Sequence, residues 1–161
     1  YKWFDYLKTK GNEVIGYVIM PNHFHGLIYV SPHDKTINQI IGNAKRFMSY
    51  DIVKKLEEKE EWGVLQILQD AVPERNRKRG YKHVVFEESF DAKPCYYEDF
   101  ILQKLNYMHQ NPVTGKWRLV ENFVDYPHSS ALFYEAGKQG IYLVVHYHNI
   151  DFPEEEMGGY Y

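Results

Sequence analysis

Two histidines one residue apart, His23 and His25, lie in the stretch Val18-Ile19-Met20-Pro21-Asn22-His23-Phe24-His25-Gly26-Leu27-Ile28-Tyr29-Val30. Successive side chains of a β-strand point to opposite faces, so a strand here carries both imidazoles on one face and Phe24 on the other. Histidine is the commonest protein ligand for a metal, and such a strand forms a bidentate edge. Two surface or core histidines have the same spacing, so the pair alone does not decide. A second candidate lies downstream, where Tyr107 and Asn111 are four residues apart and share one face of a helix, with Gln103 one turn earlier. This polar row stands out against Leu105 and Met108. A solvent face, or a capping Asn before Pro112 with a half-buried Tyr, accounts for it equally. His146 and His148 repeat the His-x-His spacing without a helical Tyr downstream and read as a solvated edge strand.

The elements that must position these groups follow from periodicity. Residues 2 to 10 read as the end of a helix stopped by Gly11-Asn12. Val14 to Met20 reads as a strand, and after the Pro21-Asn22 break His23 to Val30 continues it, as an antiparallel partner or as the same strand kinked. Ile37, Ile40, Ile41, Ala44, Phe47, Met48, Ile52, Val53 and Leu56 mark an amphipathic helix over roughly 36 to 60, with Lys45 and Arg46 on its polar face. Residues 57 to 82 read as a loop-rich basic insertion, without a firm period from Gly63 to Pro73. A short strand at His83–Phe86 and a helix from Tyr96 to Gln110 follow. Asn111-Pro112 ends that helix, because proline disfavours the α conformation in the preceding residue. A short helix to Tyr134 and an apolar segment over 141 to 145 complete the order.

At 161 residues the chain fits a single domain spanning 1–161, with 44% hydrophobic and 25% charged residues. Cys95 is the only cysteine, which excludes an intramolecular disulfide or a Cys-based zinc site and fits a reducing cytoplasm. No apolar run approaches the roughly 18 residues of a membrane span. The formal net charge of −3 argues weakly against a polyanionic partner, but the charge is sorted. Residues 150–161 form an acidic tail, whereas Arg75, Arg77, Lys78, Arg79 and Lys82 concentrate in eight residues. That run is either a solvated loop or a set of phosphate contacts, with Tyr81 at its edge able to stack on a base.

Three motifs together carry a resemblance: Met20-Pro21-Asn22-His23-Phe24-His25, Lys104-Leu105-Asn106-Tyr107-Met108-His109-Gln110-Asn111-Pro112-Val113, and Asp125-Tyr126-Pro127-His128-Ser129-Ser130. In this order they resemble the single-tyrosine His-hydrophobic-His transposases, and most closely the REP-associated tyrosine transposases. The motifs spread from about Val14 to Tyr134. The resemblance implies an α+β fold, a ferredoxin-like antiparallel sheet with helices packed on one face. It also implies a site in which His23, His25 and Asn111 hold a divalent metal, Mg²⁺ or Mn²⁺, and Tyr107 is the nucleophile. Gln103 is the alternative third ligand. Relatives carry a strand before the point where this chain opens, so the first strand is expected to be missing, its edge trimmed or filled by a neighbour. The aromatic usual near position 128 is His128 here.

The implied activity is metal-dependent nicking and rejoining of single-stranded DNA through a 5′-phosphotyrosine. The implied partner is a hairpin or palindromic repeat, tracked by Lys45, Arg46 and the basic run. The implied setting is cytoplasmic and nucleoid-associated, and some relatives are homodimers. Chemistry supports the pairing of parts: a cation on the non-bridging oxygens neutralises the phosphodiester, and a mixed N and O donor set suits Mg²⁺ or Mn²⁺. A tyrosine ester conserves the energy of the broken bond for rejoining. The rivals are a non-catalytic hairpin-binding relative and a replication initiator or relaxase. An amidohydrolase-type His-x-His site needs further ligands on a much longer barrel.

Overall fold

The computed structural model describes residues 1–150, and the acidic tail beyond Ile150 lies outside them. The chain is α+β, with an antiparallel pair of strands and six α-helices among the described residues. The chain divides into two compact units. The first joins residues 1–34 to the chain from Pro94 onward; the second is residues 35–93.

The first unit is built on β1 (Glu13–Ile19), preceded by α1 (Lys2–Lys8) and followed by β2 (Phe24–Tyr29). β1 and β2 form a hairpin across the Pro21-Asn22 turn, which resolves the kink-or-pair alternative in favour of two antiparallel strands. The register shifts between Val14 and Gly16, and this bulge reverses the alternation of β1. Ile15 therefore joins Val18 and Met20 in the core beneath α5 (Glu98–Gln110), with Ile101, Leu105 and Met108. Tyr17 faces the other way and meets Phe4 of α1 at 5.3 Å between ring centroids. The strand is thus buried on both faces. At Gly16 α5 comes so close that an added Cβ would lie 2.5 Å from Leu105 Cδ2.

The outer edge of β1 is met by single rungs. Ile19 N–H donates to His128 O (2.9 Å), Ser130 N–H to Tyr17 O (2.9 Å) and Val145 N–H to Val14 O (3.0 Å). Of the larger ferredoxin-like sheet that the resemblance implies, the described residues form this hairpin and these rungs. The edge strand expected around His146 and His148 does not form. Residues Tyr147–Asn149 turn as a 3₁₀ helix, and Tyr147 Oη and His148 Nε2 lie 2.8 and 2.9 Å from Glu98 Oε1. A carboxylate at the start of α5 satisfies these groups, where a ladder would have used only backbone.

The second unit opens with α2 (Ile37–Glu58), capped reciprocally by Thr36 and Gln39. The segment expected to be loop is helical: α3 (Trp62–Asp70) is followed by the single turn α4 (Glu74–Arg77). Its period was hidden by its short length and by Gly63. The Arg77 guanidinium reaches back to the carbonyls of Val72 (2.9 Å) and Asp70 (3.1 Å), capping α3. No strand forms at His83–Phe86, where Val84 N–H instead donates to Leu68 O at 3.0 Å. In the first unit α6 (Ala131–Ala136) is the expected short helix and ends on Gly137 in the left-handed conformation (φ 67°).

Candidate active site

The alternation of β2 is readable from its packing. Phe24 meets Trp3 and Phe4 on the α1 side, both at 5.8 Å between ring centroids, while Leu27 packs into the core under α5. His25 shares the Leu27 face and lies edge-on to the Tyr107 ring at 5.5 Å. His23, one residue before the strand, has its ring 5.0 Å from that of His25. The hairpin and α5 therefore bring His23, His25, Tyr107 and Asn111 together, as the spacing of the two motifs requires.

Asn111 is the hinge of this arrangement. Pro112 has no N–H and ends the helix, yet Asn111 keeps α geometry (φ −54°, ψ −42°), against the expected preference before proline. Its backbone N–H turns to Met108 O, as in a 3₁₀ turn. The Tyr107 carbonyl is then satisfied by the Asn111 side chain, whose Nδ2 donates to it at 2.9 Å. With Nδ2 so committed, Oδ1 must point away from the helix, and it lies 3.3 Å from His23 Nε2.

The tautomer of His23 follows from its other neighbour. Asn22 Oδ1 lies 2.7 Å from His23 Nδ1, and an amide oxygen only accepts, so Nδ1 carries the proton. In the neutral ring Nε2 is then a lone pair facing the lone pairs of Asn111 Oδ1. In that tautomer a cation between the two acceptors, or a proton on Nε2 that makes it a donor to Oδ1, relieves their repulsion. Octahedral ligands at about 2.1 Å from a Mg²⁺-sized ion sit about 3.0 Å apart along each edge, close to what Nε2 and Oδ1 already display. The donor set of two imidazoles and an amide oxygen thus fits a divalent cation. Burial, followed by the field of His23, pushes the His25 imidazole below the ordinary histidine range, towards the neutral form a metal ligand needs. Among the described residues no set of three His, Cys, Asp or Glu side chains forms such a group. The third donor here is an amide.

Tyr107 is 61% exposed and lines an open cleft of about 430 Å³ with Gln103, Asn106, Gln110, Asn111 and Thr114. Gln103 lies on this face, as its spacing predicts, but the contact to His23 is made by Asn111. In sequence Asn22 reads as part of the Pro21-Asn22 interruption between strands and not as a site residue. The signal was its position directly before His23, where an amide can reach Nδ1.

The cations of the second unit are used in several ways. Lys45 Nζ donates to the carbonyls of Glu87 (2.7 Å) and Ser89 (2.8 Å) and lies over the Phe90 ring. Arg75 pairs with Glu88, and Lys78 with Glu74 at 3.2 Å. Arg77 caps α3, as described above. Arg46, Arg79 and Lys82 carry no ion pair among the described residues. No helix of the described residues is long and apolar enough to cross a membrane. Comparison with protein-family models, curated proteins and solved structures gives no match.

Proposed function

We propose that the protein nicks and rejoins single-stranded DNA through Tyr107, as a transposase resembling the REP-associated tyrosine transposases. The observation that carries this reading is the convergence of His23 Nε2 and Asn111 Oδ1, 3.3 Å apart, beside an exposed tyrosine on the helix that carries Asn111. His23, His25 and Asn111 would hold a divalent cation, Mg²⁺ or Mn²⁺, which would supply charge neutralisation and orientation to a phosphodiester.

The remaining chemistry belongs to the chain's own residues. Tyr107 Oη forms a bond to phosphorus as the bond from phosphorus to the departing 3′-oxygen breaks, leaving a 5′-phosphotyrosine. The phenol proton passes to solvent, to which Tyr107 is open, and the departing oxygen takes up a proton to become a 3′-OH. Rejoining is the reverse attack by a 3′-OH, which restores the phenol. Asn111 couples the two halves of the site, since its amide binds the Tyr107 carbonyl while its oxygen faces His23. Arg46, Arg79 and Lys82, which carry no ion pair among the described residues, supply phosphate contacts, Arg46 from its place over the Phe47 ring, while Lys45 and Arg77 act by holding the backbone of the second unit.

Metal dependence tests the reading. Cleavage of a single-stranded hairpin substrate is expected to stop in chelator, to return with Mg²⁺ or Mn²⁺, and to be lost in the His23→Ala, His25→Ala double variant. Undiminished cleavage in chelator contradicts it.

A further inference from the structure

Tyr107 is flanked by amides. Gln103, Asn106 and Gln110 line the same cleft of about 430 Å³, at spacings that place them on one face of α5 with Tyr107. No charged residue lines that cleft. Lys104, the nearest cation in sequence, lies over the Phe100 ring at 4.8 Å. The three amides differ from Asn111 in having no hydrogen-bond partner among the described residues. Their carbonyl oxygens and NH₂ groups are all unclaimed within the fold. A cleft built to hold a phosphate path presents cations, and this one presents none. A row of unclaimed amides beside an exposed aromatic ring suits a ligand that is flat, uncharged and edged with paired donors and acceptors.

We infer that this cleft binds one unpaired nucleobase next to the phosphate that Tyr107 attacks, and that Gln103, Asn106 and Gln110 read its edge. The inference rests on the proposed function and adds base specificity to it. A side-chain amide presents one donor and one acceptor side by side, and its commonest pairing is bidentate to the N6 and N7 of adenine. Adenine is therefore the base expected. The cleft is open to solvent and, at about 430 Å³, has room for a single base. The base is taken as unpaired because the proposed reaction acts on single-stranded DNA; the N6 and N7 edge itself is one that a duplex also leaves open in its major groove.

The test is fluorescence anisotropy on twelve-nucleotide strands that are abasic except for one A, C, G or T. The full chain is expected to bind the adenine strand about tenfold more tightly than the wholly abasic strand. The Gln103→Ala, Asn106→Ala, Gln110→Ala triple variant is expected to lose that gain while keeping its affinity for the abasic strand. Gln110→Glu, which replaces the donor by an acceptor, is expected to move the preference towards cytosine, whose N4 donates. Unchanged circular dichroism and unchanged abasic-strand affinity establish that the variants are folded. Binding of single strands without base preference, or with a preference the triple variant keeps, overturns this inference and leaves the proposed function standing. Failure to bind any single strand overturns both.

Discussion

At the scale of the residue, small contacts decide what the larger motif means. Two histidines on a strand are common; a histidine whose Nδ1 is engaged by Asn22 and whose Nε2 faces a fixed amide oxygen is prepared for a cation. Asn22→Ala is therefore expected to weaken Mn²⁺ binding about 10- to 100-fold, measured by paramagnetic resonance titration, with Asn22→Asp close to the parent protein. Equal affinity in all three would remove Asn22 from the site. His109 makes a different prediction. It is 3% exposed, lies 2.8 Å from Ser130 Oγ, and burial holds its imidazole down at about 4. The unfolded chain binds its proton near pH 6.5, so stability from the neutral imidazole is complete above that pH and is lost as pH falls towards 4. The loss amounts to at most about 3 kcal/mol. Urea midpoints between pH 7 and 4 should follow this slope, and His109→Asn should flatten it.

At the scale of the element, the site is the meeting of one hairpin and one helix, and much of each was legible. The alternation of Phe24 with His23 and His25 follows from the period of a strand, and the shared face of Tyr107 and Asn111 from the period of a helix. The bulge after Val14 was not legible, because residues on either side of it obey strand periodicity with opposite phase. Nor was the aim of the Asn111 amide, which depends on a carbonyl left open by the turn before Pro112. α3 was missed because nine residues starting next to a glycine give too little period to detect. The closeness of α5 to β1 at Gly16 is open to test. Gly16→Ala places a methyl group against buried Leu105 and is expected to cost about 1–3 kcal/mol, read from thermal or urea unfolding. A neutral substitution would mean that the two elements are not in close contact there.

At the scale of the whole molecule, charge gives the clearest lesson in what sequence can carry. The run from Arg75 to Lys82 looks like a polyanion contact, but local sequence does not disclose that Glu88 claims Arg75 or that the end of α3 claims Arg77. These are partners distant along the chain or formed only when a helix ends. With Arg46, Arg79 and Lys82 remaining, single-strand affinity is expected to fall with salt at a logarithmic slope of about −2, whereas engagement of all seven candidate cations would give about −5. Anisotropy from 50 to 300 mM NaCl separates the two. The α+β class expected from the sequence stands; its division into two units was not marked by any linker of low complexity.

The proposed role of Tyr107 is that of nucleophile in a site completed by His23, His25 and Asn111. It is tested most directly by incubating the protein and Mg²⁺ with a 3′-labelled single-stranded suicide substrate and mapping any covalent adduct by mass spectrometry. Labelled DNA is expected on the peptide containing Tyr107, abolished in Tyr107→Phe while strand binding persists. An adduct of normal yield in Tyr107→Phe, or cleavage without any adduct, would contradict it.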